Sequence, residues 1–189
     1  HTYGLTSDAT EIKEFCKDRG LFLIEDASEA HGQMYEGEPC GSFGDISTFS
    51  FYANKHITAG EGGAVLTDDK NVYDKLLQMR NLDFTSEKRF QHDNFYWNYR
   101  ISGLQAALGK SQINDMDKTI KNKINQGNYY QELLKDQQDL IQLPLKEANG
   151  VENNYWVFGI LLKKENIREK VTEELYKEGI ETRPFFWPL

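Results

Sequence analysis

The sequence predicts an α/β fold with strands near the middle of the chain, and three observations predict it. Residues 21–24, Leu-Phe-Leu-Ile, form a short continuous apolar run of the kind that buried parallel strands carry. Residues 46–51 alternate between apolar and polar, as a strand with one covered face does. Around these runs, apolar residues recur at intervals of three and four, the helical period.

Taken in order, His1-Thr2-Tyr3-Gly4 reads as the end of a strand, so the chain is expected to start inside a domain. Asp8 and Glu11 have capping-box spacing, Ile12, Phe15, Cys16 and Arg19 follow at helical intervals, and Gly20 stands at a C-cap position. The strands at 21–24 and 46–51 come next, then a short apolar strand at 63–67 and a helix over 69–81 with Val72, Leu76 and Met79 on one face. Residues 82–98 are irregular and rich in rings, which suits an ordered loop at an interface. Leu104, Leu108, Ile113, Ile120 and Ile124 mark one long helical stretch running towards Leu134. Beyond the turn signals Pro144 and Asn149-Gly150, the sequence predicts a strand at 155–162, a helix at 165–178 and an edge strand at 180–183. The organisation expected is a large-domain portion at 1–100, a bridging helix at 101–135 and an incomplete small domain at 136–189.

The chain has 189 residues, 39% hydrophobic and 13% aromatic, enough to bury a sizeable core. Its net charge of −8 argues against a nucleic-acid-binding surface, so any anionic ligand must be met by individual donors. No apolar run approaches the roughly 20 residues that span a bilayer, and no leader pattern opens the sequence, so no membrane partner is expected and the chain is read as cytoplasmic. Cys16 and Cys40 lack CxxC spacing, which indicates neither a disulfide framework nor a metal site.

The stretch STFSFYANKHITAGEGG at 47–63 places Lys55 just past a strand and just before a Gly-rich turn. Open α/β sheets put ligands at such strand ends, and desolvation there lowers an amine's pKa until it can attack a carbonyl. A solvated surface lysine is the plain alternative. In EDASEAHG at 25–32, Glu25 and Asp26 lie at a strand's carboxyl end. A carboxylate buried there needs a fixed cationic or hydrogen-bonding partner, and the alternative role for Asp26 is to cap the next turn.

Four words carry a resemblance: EDASEAHG at 25–32, GSFGDISTFSFYANKHITAGEGG at 41–63, NYRISGLQAALG at 98–109 and ETRPFFWPL at 181–189. Together they resemble the DegT/DnrJ/EryC1/StrS family of pyridoxal-phosphate-dependent aminotransferases that act on nucleotide-linked keto-sugars. The likeness spans the whole chain at roughly half the family's usual length. It implies part of the fold type I (aspartate aminotransferase-like) large domain, a sheet flanked by helices, followed by part of a small C-terminal α/β domain.

The resemblance also implies roles. Lys55 matches the lysine that carries the cofactor and shuttles a proton to the substrate carbon; the family's 3-dehydratases have histidine there. Asp26 matches the aspartate that keeps the cofactor's pyridine nitrogen protonated. Ser50 matches a phosphate-binding serine, and Asn98 an asparagine that reaches the phosphate of the neighbouring subunit, which implies a homodimer with shared active sites. Glu29 stands near the cofactor's 3-hydroxyl, where many members have glutamine or histidine, so it must share a proton, turn to solvent or pair elsewhere. His31 reads as packed behind the cofactor strand. Glu61, Arg183, Phe185 and Trp187 are weaker candidates for substrate contact, which packing explains equally well.

The implied reaction moves an amine from L-glutamate, in two half-reactions, to the 4-keto group of a nucleotide-linked 6-deoxyhexose, and the product would serve a surface polysaccharide such as an O-antigen. The words SEAHG and RPFFWPL favour a GDP-linked substrate. Two other readings stand beside it. One is a chain that folds or pairs without turning over alone, since the family's N-terminal part supplies phosphate contacts and a stacking aromatic. The other, a nicotinamide-dependent enzyme, is disfavoured because no GxGxxG follows a strand.

Overall fold

The computed structural model describes residues 1–187. Helix α1 (Ala9–Asp18) leads into strand β1 (Ile24–Asp26), a small hairpin of β2 (Met34–Tyr35) and β3 (Glu38–Pro39), then β4 (Ile46–Ser50), β5 (Gly63–Leu66) and helix α2 (Lys70–Arg80). Helices α3 (Gly103–Ile113) and α4 (Met116–Leu134) follow, then two-residue strands β6 (Ile141–Gln142), β7 (Glu147–Ala148), β8 (Val151–Glu152) and β9 (Leu161–Leu162), and helix α5 (Arg168–Lys177). No helix among the described residues is long and apolar enough to cross a membrane.

The sheet that organises the site has the order β1-β4-β5. β1 runs parallel to β4, pairing Ile24 with Ile46 and Asp26 with Thr48, whereas β5 runs antiparallel and pairs Gly63 with Ser50. The carboxyl ends of β1 and β4 therefore lie side by side, and the loop from residue 51 to 62 starts there. Local chemistry sets the helix starts. The Asp8 side chain accepts from the Glu11 N–H at 3.0 Å, Asp69 caps Asn71 and Val72, and Ser102 with Gln105 forms a complete capping box on α3.

Ala27, Ala30, Tyr35, Cys40, Phe43, Ala9 and Val151 form the apolar core, with Phe49 of β4 packed on it. The C-terminal part of the chain reaches this core through buried amides. Gln33 Nε2 donates to the Gly4 carbonyl at 2.7 Å and to the Glu152 carbonyl at 2.8 Å, and the Asn154 N–H donates to Gly4 at 3.1 Å. Gly4 has φ +93°, and a Cβ there would stand 2.4 Å from the Asn154 Oδ1, so both conformation and space require glycine.

Several expectations need correction. Residues 1–4 are no strand end: Thr2 and Leu5 bridge across a tight turn whose central residues, Tyr3 and Gly4, both have positive φ. The run at 21–24 is not buried, with Leu21 51%, Phe22 72% and Ile24 67% exposed, because β1 is an outer strand and starts only at Ile24. The single long helix is two, broken at Asn114-Asp115, residues whose side chains compete for backbone hydrogen bonds. Residues 155–162 are a strand only at Leu161–Leu162, since Tyr155 has φ +48°, outside the extended region that a strand needs. Residues 180–183 form no strand: Gly179, at φ +77°, and the Ile180 N–H bond to Leu175 O close α5, and the chain then runs on without a ladder.

Candidate active site

The loop after β4 is tied down at several points. The Phe51 N–H donates to Gly62 O and the Ala59 N–H to Phe51 O, both at 2.8 Å, closing the loop on itself. From α3, Gln112 accepts the Thr58 N–H at 3.2 Å and donates to Thr58 O at 2.8 Å, and Gln105 donates to Glu61 O at 3.1 Å. The result is a rigid perch for Lys55. Its side chain is only 9% exposed, with Nζ 3.8 Å from Glu29 Oε1, whose own side chain is 11% exposed. Nζ also lies 3.7 Å from the ring centroid of Trp156.

Burial lowers the Lys55 pKa below that of a free lysine, and the charges of Glu29 and Asp26 offset part of that effect. Asp26 lies on the exposed side of β1, and its Oδ1 accepts the Ser28 N–H at 2.9 Å. Partial burial would raise this carboxyl, but hydrogen bonds from Ser28 and the charges of Lys55 and His1 outweigh it and hold Asp26 below the ordinary value. Glu29 is anchored by the Tyr3 N–H at 2.9 Å. Of the options open to it, Glu29 pairs elsewhere, with Lys55 and the Tyr3 backbone. His31 and His56 sit behind this group with pKa values pushed down to about 4, by burial first and then by neighbouring positive charge, so both are neutral imidazoles at pH 7. His31 stacks on Phe49, its centroid 5.6 Å away, in keeping with a packed residue.

Glu25, next to Asp26, points inward and does different work. Its carboxylate accepts from the backbone N–H groups of Gly41, Phe43 and Gly44, from the Ser47 hydroxyl and from His1 Nε2. Ligand atoms of His1, Glu25 and Cys40 lie within 4.8 Å of one another. Five hydrogen bonds nevertheless fill the carboxylate's lone pairs, so this cluster is a satisfied structural ion pair and anchors the loop at 41–44.

The remaining candidates lie in several places. Ser50 ends β4, and its hydroxyl oxygen accepts the Tyr52 N–H at 3.2 Å, which leaves its O–H free to donate. Asn98 is exposed, its Oδ1 taken by the backbone N–H and Nε of Arg100. Glu61 and Arg183 are exposed, and Trp187 is 89% exposed. Phe185 packs edge-on against Tyr3 with centroids 5.2 Å apart, so packing accounts for it. Sequence reasoning missed Trp156, which walls the lysine, and Tyr3, which stacks on Trp156 at 6.1 Å and anchors Glu29. Cavities of about 450 Å³ by α4 and β6, and about 160 Å³ beside His1 and Asp26, do not include Lys55 in their linings.

The profile of the DegT/DnrJ/EryC1/StrS aminotransferase family matches residues 1–189. The chain belongs to this family. GDP-perosamine synthase of Escherichia coli O157:H7 is 40% identical over 189 residues, which are all of this chain and 51% of that protein. Among solved structures, Helicobacter pylori PseC, an aminotransferase of pseudoaminic acid biosynthesis, superposes with a TM-score of 0.87 at 26% identity, covering 99% of this chain and 51% of PseC. The E. coli GDP-4-keto-6-deoxy-D-mannose-3-dehydratase, solved with hydrated pyridoxal phosphate, superposes with a TM-score of 0.83 at 25% identity over 96% of this chain and 51% of that one. The chain thus spans about half the length of the curated relatives it matches. The mixed sheet with its flanking helices is the corresponding part of the family's α/β fold.

Proposed function

We propose that this chain carries the lysine-bearing part of an aminotransferase that works with pyridoxal phosphate and transfers an amino group to the 4-keto group of a nucleotide-linked 6-deoxyhexose. Support comes from the family match and from the 40% identity to a GDP-perosamine synthase, which also favours a GDP-linked substrate. The observation that carries the reading is the lysine itself, a nearly buried amine with a lowered pKa, 3.8 Å from the Glu29 carboxylate and within reach of the Asp26 charge. L-glutamate as amino donor, a homodimer in which Asn98 serves the neighbouring site, and the division into 1–100, 101–135 and 136–189 belong to the same proposal.

The donor set fits the cofactor. An amine that sheds its proton readily, a carboxylate held anionic and a hydroxyl with a free proton suit an aldehyde, a pyridine nitrogen and a phosphate respectively. When bound, pyridoxal phosphate supplies a ring that takes up the electron pair released as the substrate loses its proton. Lys55 would hold the cofactor through Nζ and, once freed, take that proton at Nζ and return it. Asp26 would keep a proton on the ring nitrogen, and Ser50 would donate its hydroxyl to the phosphate. Arg183 and Trp187, both exposed, remain for the sugar nucleotide, with Glu61 at the edge of the loop and Phe185 packed on Tyr3.

The test is to add pyridoxal phosphate to the purified chain, reduce with borohydride and locate the modified peptide by mass spectrometry. Labelling confined to Lys55, and abolished in Lys55→Ala, is the expected result. Labelling scattered over surface lysines, or none, would reject the reading for this length of chain and favour a member that folds without turning over alone.

A further inference from the structure

We infer that the indole face of Trp156 and the carboxylate of Glu29 form a docking site for the free Lys55 ammonium, which makes Trp156 a positioning residue for that amine. The significance of this for catalysis rests on the function proposed above. A lysine that attacks, is released and attacks again must spend part of each cycle as a detached amine. In a nearly dry recess a detached charge needs a defined resting place, or it swings away from the reacting atoms.

The two walls of that place are fixed independently of the lysine. Trp156 is 5% exposed, and its Nε1–H donates to the Asn54 carbonyl at 3.0 Å, one residue before Lys55. Its ring stacks on Tyr3, the residue whose backbone N–H anchors Glu29. Lys55 Nζ sits 3.7 Å from the indole centroid, well within the roughly 6 Å reach of a cation–π contact. Glu29 Oε1, at 3.8 Å, is too distant for a formed hydrogen bond and attracts through charge. Neither wall accepts a proton from the ammonium through a short bond. The site therefore holds the cation without locking it, and the neutral amine leaves freely. Asp26 adds attraction from β1, while His31 and His56, neutral above pH about 4, add none in the range where the lysine titrates.

The test uses the chain labelled with carbon-13 at its lysine ε-carbons, without added cofactor, and follows the Lys55 resonance, assigned through Lys55→Arg, across pH by NMR. The indole ring current is expected to displace the Lys55 ε-methylene protons upfield. Removing the ring in Trp156→Leu should abolish that displacement and move the titration midpoint to lower pH, since the cation loses a stabilising partner. Trp156→Phe should retain both in weakened form, and it decides the matter should the leucine variant not fold by circular dichroism. Glu29→Gln should lower the midpoint while leaving the ring-current displacement in place. His1, whose imidazole titrates at about 9 beside Glu25, carries no labelled ε-carbon. An undisplaced Lys55 signal, or an unchanged midpoint in the Trp156 variants, would overturn the inference. Because no cofactor is present, loss of docking with borohydride trapping at Lys55 intact defeats this inference alone, and the reverse defeats only the functional reading.

Discussion

Glu25 organises its surroundings as a single buried anion. Burial by itself would raise its carboxyl, but the His1 imidazole and the N–H groups of Gly41, Phe43 and Gly44 bring it down to about 2 from 4.5. Burial would also lower the His1 pKa, and hydrogen bonds with Cys40 and Glu25 instead raise it from 6.5 to about 9. A depressed carboxylate contributes stability that is present above 4.5 and lost as pH falls towards 2; a raised imidazole contributes stability that is present below 6.5 and lost as pH rises through about 9. The melting temperature should therefore be highest near 6.5 and fall on both sides: above it as His1 loses its proton, and below it first because His31 and His56, pushed down to about 4, refuse protons that the unfolded chain takes up, and then as Glu25 protonates. Glu25→Gln should flatten the acid limb below about 4.5, leaving the part above it to His31 and His56, and lower the maximum by roughly 2 kcal/mol, because an amide cannot accept from all five donors. An unchanged acid limb in that variant would assign the pH dependence to other groups. At this scale the sequence was legible where chemistry and local order coincide. Lys55 between a strand and a glycine turn, and the paired carboxylates of EDASEAHG, announce themselves. Trp156 and Tyr3 do not, because what makes them walls of the site is contact between residues 3, 55 and 156, which no window of sequence brings together.

Helices α1 and α2 were legible because their signals are local, with Asp8 and Asp69 capping one end and Gly20, at φ +60°, closing α1. The two-residue ladders were not, since two residues carry no periodicity. Gly127 shows the same limit inside a helix. It lies within α4, where glycine is about 1 kcal/mol worse than alanine by propensity alone, so local rules recommend Gly127→Ala. Yet a Cβ there would stand 2.2 Å from the ring of Tyr155, which is 2% exposed and cannot swing aside. Overpacking of this kind typically costs 1–3 kcal/mol, which exceeds the propensity gain. Gly127→Ala should therefore lower the stability measured by urea unfolding by about 1 kcal/mol, and the same substitution should cost less when made in a Tyr155→Leu background. Stabilisation by the alanine would show that α4 shifts to make room.

Across the whole molecule, the most consequential feature is apolar surface beside an open sheet edge. Phe22 and Ile24 are exposed on and just before β1, the outer strand of the three-stranded sheet, and Phe95, Trp97 and Leu104 add rings and a leucine elsewhere. An exposed strand edge flanked by apolar side chains is a template for pairing with another chain. The net charge of −8 opposes association at long range, but at physiological salt it is screened within about 8 Å, and the contact surfaces themselves are uncharged. This chain, purified alone, should therefore self-associate, with the associated fraction rising with protein concentration and with salt. Phe22→Lys places a charge beside the β1 edge at a position that is exposed, so it should change folding stability by no more than about 0.5 kcal/mol while raising the monomer fraction in sedimentation velocity. Borohydride labelling of Lys55 should be the same in this variant, since Phe22 lies at the opposite end of β1 from Asp26. A clean monomer for the unmodified chain at tens of micromolar would show that the edge and its apolar neighbours are too dispersed to act as an interface.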